Sequence, residues 1–244
     1  MSAARVALIT GSSSGIGAAT ARRLAASGVR VVINSRSPEA GEELAAELPG
    51  ARYIQADVSV DGEAERLVGG VIDAFGRLDI LVNSAGTTRF IPHDDLAAAS
   101  PEVWRDIFDV NVLGVWQTIT AAAPHLKASG SGAVVNVSSQ AGVRPNGSSI
   151  PYAVSKAAVN HMTRLLAKTL GPEVRVNAVA PGFIETPWYE GVEGFADTKR
   201  HVENAVPLRR TGSAEDVADA IAHLVDASYI TGEVVFVDGG GNLV

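Results

Sequence analysis

Arg5-Val6-Ala7-Leu8-Ile9-Thr10-Gly11-Ser12-Ser13-Ser14-Gly15-Ile16-Gly17 is the stretch that decides how the chain is read. A short apolar run ends in a glycine-rich turn, and Ala18-Ala19-Thr20-Ala21-Arg22-Arg23-Leu24-Ala25-Ala26 after it is rich in helix formers. Strand, glycine turn, helix is the implied order. Glycines there let the backbone turn tightly and approach a pyrophosphate. The free N–H groups and positive dipole end of a helix beginning near Gly15 would meet its charge. A lone glycine-rich loop also serves as an ordinary turn, so its weight comes from standing between a first strand and a first helix.

Outward from this unit the pattern repeats. Residues 29–34, 51–56 and 78–82 read as strands, with helices over 38–48 and 62–75 between them. Strands joined by helical crossovers form a parallel sheet. Ser100 and Pro101 open a helix that runs to about Lys127, with Ser100 as its cap and Pro101 in its first turn. Strands over 133–137, 175–180 and 233–237 and helices over 151–170 and 214–226 complete the pattern. Residues 188–207 are the least regular part. A long irregular segment after a strand end is the kind of element that closes over a substrate, which gives an expected lid over about 187–207.

Composition narrows the function classes. A chain of 244 residues, 46% hydrophobic and 19% charged, suits one α/β domain over 1–244. Its formal net charge of -7 argues against nucleic acid or acidic lipid as the main partner, since both reward a basic face. With no cysteine there is no disulfide and no thiolate nucleophile or ligand, and the five scattered histidines form no metal-ligand pair, so no metal site is expected. The apolar run 5–10 is too short for a signal sequence, and no stretch approaches 18 consecutive apolar residues; the expectation is a cytoplasmic protein away from membranes.

Several residues stand where an open α/β sheet binds ligands, at strand carboxyl ends. Asn34-Ser35-Arg36-Ser37 follows the second strand, where an acidic side chain would accept from a ribose 2′-hydroxyl. Arg36 could instead pair with a 2′-phosphate and Ser35 donate to it; the alternative is a solvated surface arginine. Ala85 and Gly86 in Asn83-Ser84-Ala85-Gly86 would let a flat ligand lie against the backbone, or simply make a turn. Asn111, in an apolar helix, must find partners or cost about 1–3 kcal/mol. Ser138-Ser139 ends another strand, and thirteen residues after Ser139 comes Tyr152-Ala153-Val154-Ser155-Lys156. Residues four apart share a helix face, and an ammonium near a phenol of ordinary pKa about 10 stabilises its phenolate. Tyr152 is therefore a candidate acid/base, and the alternative is an exposed pair.

Taken together these residues resemble the short-chain dehydrogenase/reductase family from Thr10 to Gly240. The set is Thr10-Gly11 with Gly15 and Gly17, Asn83-Ser84-Ala85-Gly86, Asn111, Ser139, Tyr152, Lys156, Pro181-Gly182, and Tyr229-Ile230-Thr231-Gly232 before Val237-Asp238-Gly239-Gly240. The resemblance implies a Rossmann-type, doubly wound parallel sheet flanked by helices on both faces. It implies hydride transfer between a nicotinamide cofactor and a ketone or secondary alcohol.

By the same resemblance Tyr152 is the acid/base and Ser139 polarises the carbonyl. Lys156 lowers the pKa of Tyr152 and holds the nicotinamide ribose, and Asn111 keeps a water that links Lys156 to solvent. Gly11, Ser13 and Ile16 would contact pyrophosphate and ribose, and Asp57 and Val58 the adenine. Asn83, Ala85 and Gly86 with Pro181 and Gly182 would line the dinucleotide, and Ile184 and Thr186 grip the carboxamide. NADP(H) is preferred on account of Arg36, with NAD(H) the alternative; a non-catalytic dinucleotide sensor is the reading from another class.

Departures qualify this. Ser84 replaces a commoner Asn, and Ser14 stands where many NADP-preferring members carry Lys or Arg, so the NADP preference rests on Arg36. Val206-Pro207-Leu208-Arg209-Arg210 resembles the 3-oxoacyl-(acyl-carrier-protein) reductases, yet Gly130 and Glu173 stand about where those enzymes offer arginines to the acidic carrier. Apolar residues spread over two helices more widely than one core-facing stripe requires, Val103, Trp104, Phe108, Val115 and Trp116, then Val159, Met162, Leu165 and Leu166, so pairing of subunits is expected, the alternative being two helices buried deeply within one subunit. The resemblance implies pairing through these two helices, commonly into a homotetramer.

Overall fold

The strand Val6–Thr10 (β1) is buried at every residue and shows how the layers form. Val6 and Leu8 point into one core and Ala7 and Ile9 into another, as period-two alternation requires of a strand covered on both faces. In this computed structural model, which describes residues 4–192 and 194–244, β1 is followed by α1 (Gly15–Ala26), β2 (Arg30–Ile33), α2 (Pro38–Glu47) and β3 (Arg52–Tyr53). Next come α3 (Glu63–Phe75), β4 (Ile80–Asn83), α4 (Pro101–Phe108), a π turn at Asp109–Leu113, α5 (Gly114–Ala128) and β5 (Gly132–Val137). The chain ends with α6 (Ile150–Leu170), β6 (Val174–Pro181), β7 (Ile184–Glu185), α7 (Phe195–Ala205), β8 (Gly212–Ser213), α8 (Ala214–Asp226) and β9 (Val234–Val237).

Seven strands pair in parallel in the order β3-β2-β1-β4-β5-β6-β9. Leu67 and Val71 of α3, Ile119 and Leu126 of α5, and Val159 and Leu166 of α6 fill one face. Ala21 and Leu24 of α1, Leu44 of α2, and Val217 and Ile221 of α8 fill the other. This is the doubly wound α/β sheet that the sequence implies. The sheet reverses its order at β1, which pairs with β2 on one side and β4 on the other; the crevice that opens beyond the carboxyl ends there is where such folds bind ligands.

Four details differ from the sequence expectation. The helix read over 101–127 opens into a π turn around Asn111, because the Asn111 side chain turns inward and Gly114 packs on Val58 so closely that a Cβ would meet it at 2.9 Å. Ser100 holds the cap position, but its hydroxyl accepts no helix N–H. β3 is shorter than 51–56, although Ile54 N–H and Ala56 N–H still donate to Ile33 and Ser35 carbonyls at 2.9 and 3.3 Å. The segment read as irregular contains α7, which buries none of its residues, and the small parallel pair β7–β8 stands at its ends.

Candidate active site

At the carboxyl ends of β1, β4, β5 and β6 lies a cleft of about 800 Å³, of the size that takes a cofactor or substrate. One wall is the loop from Gly11 to Gly17. Gly17 is required there by close approach: a Cβ would lie 2.4 Å from the Gly11 carbonyl oxygen. The first α1 bond runs from Ala18 N–H to Ser14 O, so the N–H groups of Gly15, Ile16 and Gly17 have no helical acceptor. With the dipole they make an anion-binding end. Thr10 Oγ1 accepts from the N–H groups of Ser84 and Ala85, both at 3.2 Å, and so joins the loop after β1 to the one after β4.

At one end of the cleft stand Ser35, Arg36, Asp57 and Val58. Asn34 is buried and donates to the Ile54 and Ala56 carbonyls, which holds the edge segment against β2. Ser35 Oγ donates to Ser37 O at 2.6 Å, so its proton is already committed. Arg36 is exposed, and among the described residues its guanidinium has no ion-pair partner. Asp57 Oδ1 accepts from both Ser59 N–H and Ser59 Oγ.

At the other end is α6. Buried Ser149 caps it by accepting from the Tyr152 N–H at 3.3 Å, which fixes the first turn where the phenol projects. Tyr152, Lys156, Ser138 and Ser139 all line the cleft. Ser138 Oγ donates to the Lys156 carbonyl at 3.2 Å, pinning the strand end to the helix, and Ser139 Oγ accepts from Ala141 N–H at 3.2 Å. Lys156 is buried; its ammonium donates to Val137 O at 2.9 Å and lies 5.7 Å from the centre of the Tyr152 ring.

Burial dominates the protonation of this pair. It pushes the Tyr152 phenol up to about 12, with Ser139 pulling the other way and Tyr189 adding to the rise, and it pushes Lys156 down to about 8. The Lys156 ammonium, held by the Val137 carbonyl, stands over the face of the Tyr152 ring.

Of the expected site residues, Gly11, Ser13, Ile16, Ser35, Arg36, Asp57, Val58, Ala85, Gly86, Ser139, Tyr152, Lys156, Pro181, Gly182, Ile184 and Thr186 all reach the cleft. Asn83 and Asn111 do not line it. Asn83 pairs in register with Asn136, and its side chain points inward: it donates to Asn136 Oδ1 at 2.9 Å and accepts from Thr118 Oγ1 at 2.7 Å. Asn111 is fully buried behind the cleft. It accepts from Thr87 N–H at 2.8 Å and donates to Thr87 O and Ser155 Oγ, each at 3.0 Å. Ser155 in turn donates to the Tyr152 carbonyl at 2.7 Å, so the π turn is tied to the helix turn that carries the phenol.

Sequence reasoning missed Ser149, Ser155, Phe90 and Phe183. Ser149 had a signal, a serine two residues before a helix-opening Pro151. The two phenylalanines had none, since only the fold brings them to the wall formed by Trp188, Tyr189 and Phe195.

Of the apolar residues read as a pairing face, Val115, Val159 and Leu166 are in the core. Trp116 and Leu165 are about half exposed, as are Leu113 and Val154 beside them. Among the described residues no group of three or more His, Asp or Glu could hold a metal, and no helix is long and apolar enough to cross a membrane.

Comparison with known proteins sets this geometry among relatives. A family model described as enoyl-(acyl carrier protein) reductase matches residues 11–242. The chain is 62% identical over 242 residues to ketoacyl reductase 2 of the granaticin polyketide synthase of Streptomyces violaceoruber, covering 99% of this chain and 97% of that one. It is 39% identical over 244 residues to a 3-oxoacyl-(acyl-carrier-protein) reductase of Thermotoga maritima, covering 97% of each. The solved structure of ElxO with NADP bound superposes with a TM-score of 0.91 at 28% identity, over 99% of this chain and all of that one.

Proposed function

The chain belongs to the short-chain dehydrogenase/reductase family, NAD(P)-dependent oxidoreductases, and within it we propose an NADP(H)-dependent reductase of ketones with Tyr152 as proton donor. The observation that carries this reading is the convergence of Ser139, Tyr152 and Lys156 on the same cleft that the glycine loop lines. Two relatives are named for ketoacyl reduction, and one structural neighbour was solved with NADP, which supports both substrate type and cofactor.

The residues present fit a dinucleotide. The open N–H groups at Gly15, Ile16 and Gly17 suit a pyrophosphate, which Gly11 and Ser13 would help to hold, while Asp57 and Val58 would flank an adenine and Arg36 would meet a 2′-phosphate. Ala85, Gly86, Pro181 and Gly182 would line the dinucleotide between, and Ile184 and Thr186 would hold the carboxamide. When bound, the reduced cofactor supplies a hydride to the carbonyl carbon and is oxidised.

The chain's own work is position and proton. Ser139 presents its hydroxyl to the carbonyl oxygen, and Tyr152 gives that oxygen its proton, so the C=O becomes CH–OH. Burial keeps the phenol a neutral O–H at pH 7, the form that can donate. Lys156 charge steadies the phenolate that is left, and Asn111, with its amide committed to Thr87 and Ser155, positions the helix turn. A dinucleotide sensor would need no proton donor.

Spectrophotometric consumption of NADPH with a panel of ketones tests the reading; its absence with every ketone would overturn it. Reduction should hold its rate below about pH 8 and decline above it, because Lys156 is charged below its depressed pKa and neutral above. Lys156→Met should remove that descending limb, and an unchanged profile would show that the lysine charge plays no part.

Cofactor preference rests on Arg36, since the Ser35 proton is given to Ser37. Arg36→Ala should weaken NADPH binding by about tenfold, the worth of a charge-assisted contact, and leave NADH binding unchanged. Unaltered NADPH affinity would favour the NAD(H) alternative. The half-exposed Leu113, Trp116, Val154 and Leu165 support assembly into a homotetramer, and the reading is of a cytoplasmic enzyme acting within one catalytic domain.

A further inference from the structure

Ser139 reaches the cleft from the 3-10 turn that it caps, Gln140–Gly142, between β5 and α6. Its hydroxyl accepts from Ala141 N–H at 3.2 Å, and Gly142 N–H returns to Ser139 O at 3.0 Å. The cap uses a lone pair and leaves the Ser139 proton for the cleft, so where the turn lies decides where that proton points. The turn lies hard against α6. A Cβ on Gly142 would meet the Lys156 carbonyl carbon at 2.7 Å and Asn160 Nδ2 at 2.8 Å. Asn160, one helical turn beyond Lys156, is buried and donates from Nδ2 to the Gly142 carbonyl at 3.2 Å. That acceptor fixes which way the amide faces, and its Oδ1 is then buried with no hydrogen-bond partner among the described residues.

We propose that Asn160 is a positioning residue for the reaction: it clamps the Gln140–Gly142 turn onto α6 and so holds the Ser139 hydroxyl at a fixed place relative to the Tyr152 phenol. The proposal rests on the reductase reading above and adds to it a residue that does not line the cleft. A buried carbonyl oxygen without a donor costs the fold free energy that a leucine of similar size would avoid. The bond that the amide does make ends on the turn that carries Ser139. Tyr152, Lys156 and Asn160 follow one another a turn apart along α6, so the clamp fixes the serine to the same rigid element that carries phenol and ammonium. Other bonds keep the segment folded without it. Ser138 Oγ donates to the Lys156 carbonyl before the turn, and Arg144 donates to the Gly241 carbonyl at 2.6 Å after it. What Asn160 adds is the seat of the turn between these two points.

The test compares Asn160→Leu, which keeps the bulk of the side chain and removes the clamp, with Asn160→Ala, which truncates it. With NADPH and ethyl acetoacetate each should lower kcat by about tenfold while the KM for NADPH stays within about twofold, the mark of a misplaced reacting group. In a Ser139→Ala background the same substitutions should change kcat by less than about twofold, because the hydroxyl they would misplace is gone. A role in packing alone would lower kcat equally in both backgrounds. Such additivity, or an unchanged kcat in both variants, overturns the proposal, and so does loss of the fold in both, read by thermal unfolding. Amide hydrogen exchange followed by mass spectrometry reads the clamp without turnover: exchange over 139–144 should quicken in the variants while α6 keeps its protection. Unaltered exchange overturns the clamp. Quickened exchange in a protein that reduces no ketone leaves the clamp standing and overturns the reductase reading instead.

Discussion

Tyr152→Phe is expected to lower kcat for ketone reduction by about a thousandfold while NADPH affinity stays within twofold of wild type. The substitution removes one oxygen and little else. The cap on α6 runs from the Tyr152 backbone N–H to Ser149, and the bond from Ser155 ends on the Tyr152 carbonyl, so both survive. The ring keeps its place 6.0 Å from Trp188 and under the Lys156 ammonium. Because burial already disfavours the phenolate, losing the hydroxyl removes no favourable charge from the fold, and thermal unfolding should be unchanged or slightly raised. Steady-state kinetics with a cofactor fluorescence titration separate the effects. Undiminished turnover would mean that another group delivers the proton; a parallel loss of NADPH binding would mean that the phenol serves the cofactor rather than the carbonyl.

The sheet was legible because its causes are local. β1 alternates between two apolar cores, glycines punctuate its end, and α8 begins where Ser213 and Asp216 exchange the reciprocal bonds of a capping box. What the chain pattern could not show depends on partners distant in sequence. The Asn111 amide reads correctly as a group that needs partners, but those partners are the backbone of Thr87, 24 residues earlier, and Ser155, 44 later; the helix opens to reach them. Asn83 stands in a cleft motif, yet its register opposite Asn136 turns the side chain inward to a buried chain that runs on to Thr163. α7 has too sparse an apolar stripe to announce itself, and Lys199 on it pairs with Glu185 of β7 at 2.8 Å, a contact no local pattern encodes. The protonation of Lys156 and Tyr152 follows from burial, and depth below a surface is a property of the assembled fold.

Gly17→Ala and Gly69→Ala make the same chemical change and should act in opposite directions. At Gly17 the new methyl would lie 2.4 Å from the Gly11 carbonyl oxygen and 2.7 Å from Ser12 Cα, both backbone atoms of the turn itself. That turn cannot yield freely: Ser12 Oγ donates to Ile9 O at 2.6 Å and accepts from Asn34 N–H at 3.0 Å, which ties it to β1 and β2 together. The loop must shift as a unit, at a cost of about 2 kcal/mol. The shift also displaces the N–H groups of Gly15 and Ile16 from the geometry that meets a pyrophosphate, so NADPH affinity should fall by at least about tenfold. At Gly69, inside α3, a Cβ meets nothing within 4 Å, and the lost backbone freedom of the unfolded chain should stabilise by about 0.5–1 kcal/mol with cofactor affinity unmoved. Urea denaturation and NADPH titration of the two variants decide the matter. If Gly17→Ala were as stable and as tight as wild type, the loop would be free to adjust, and the close approach of α1 to β1 would have no part in holding the dinucleotide.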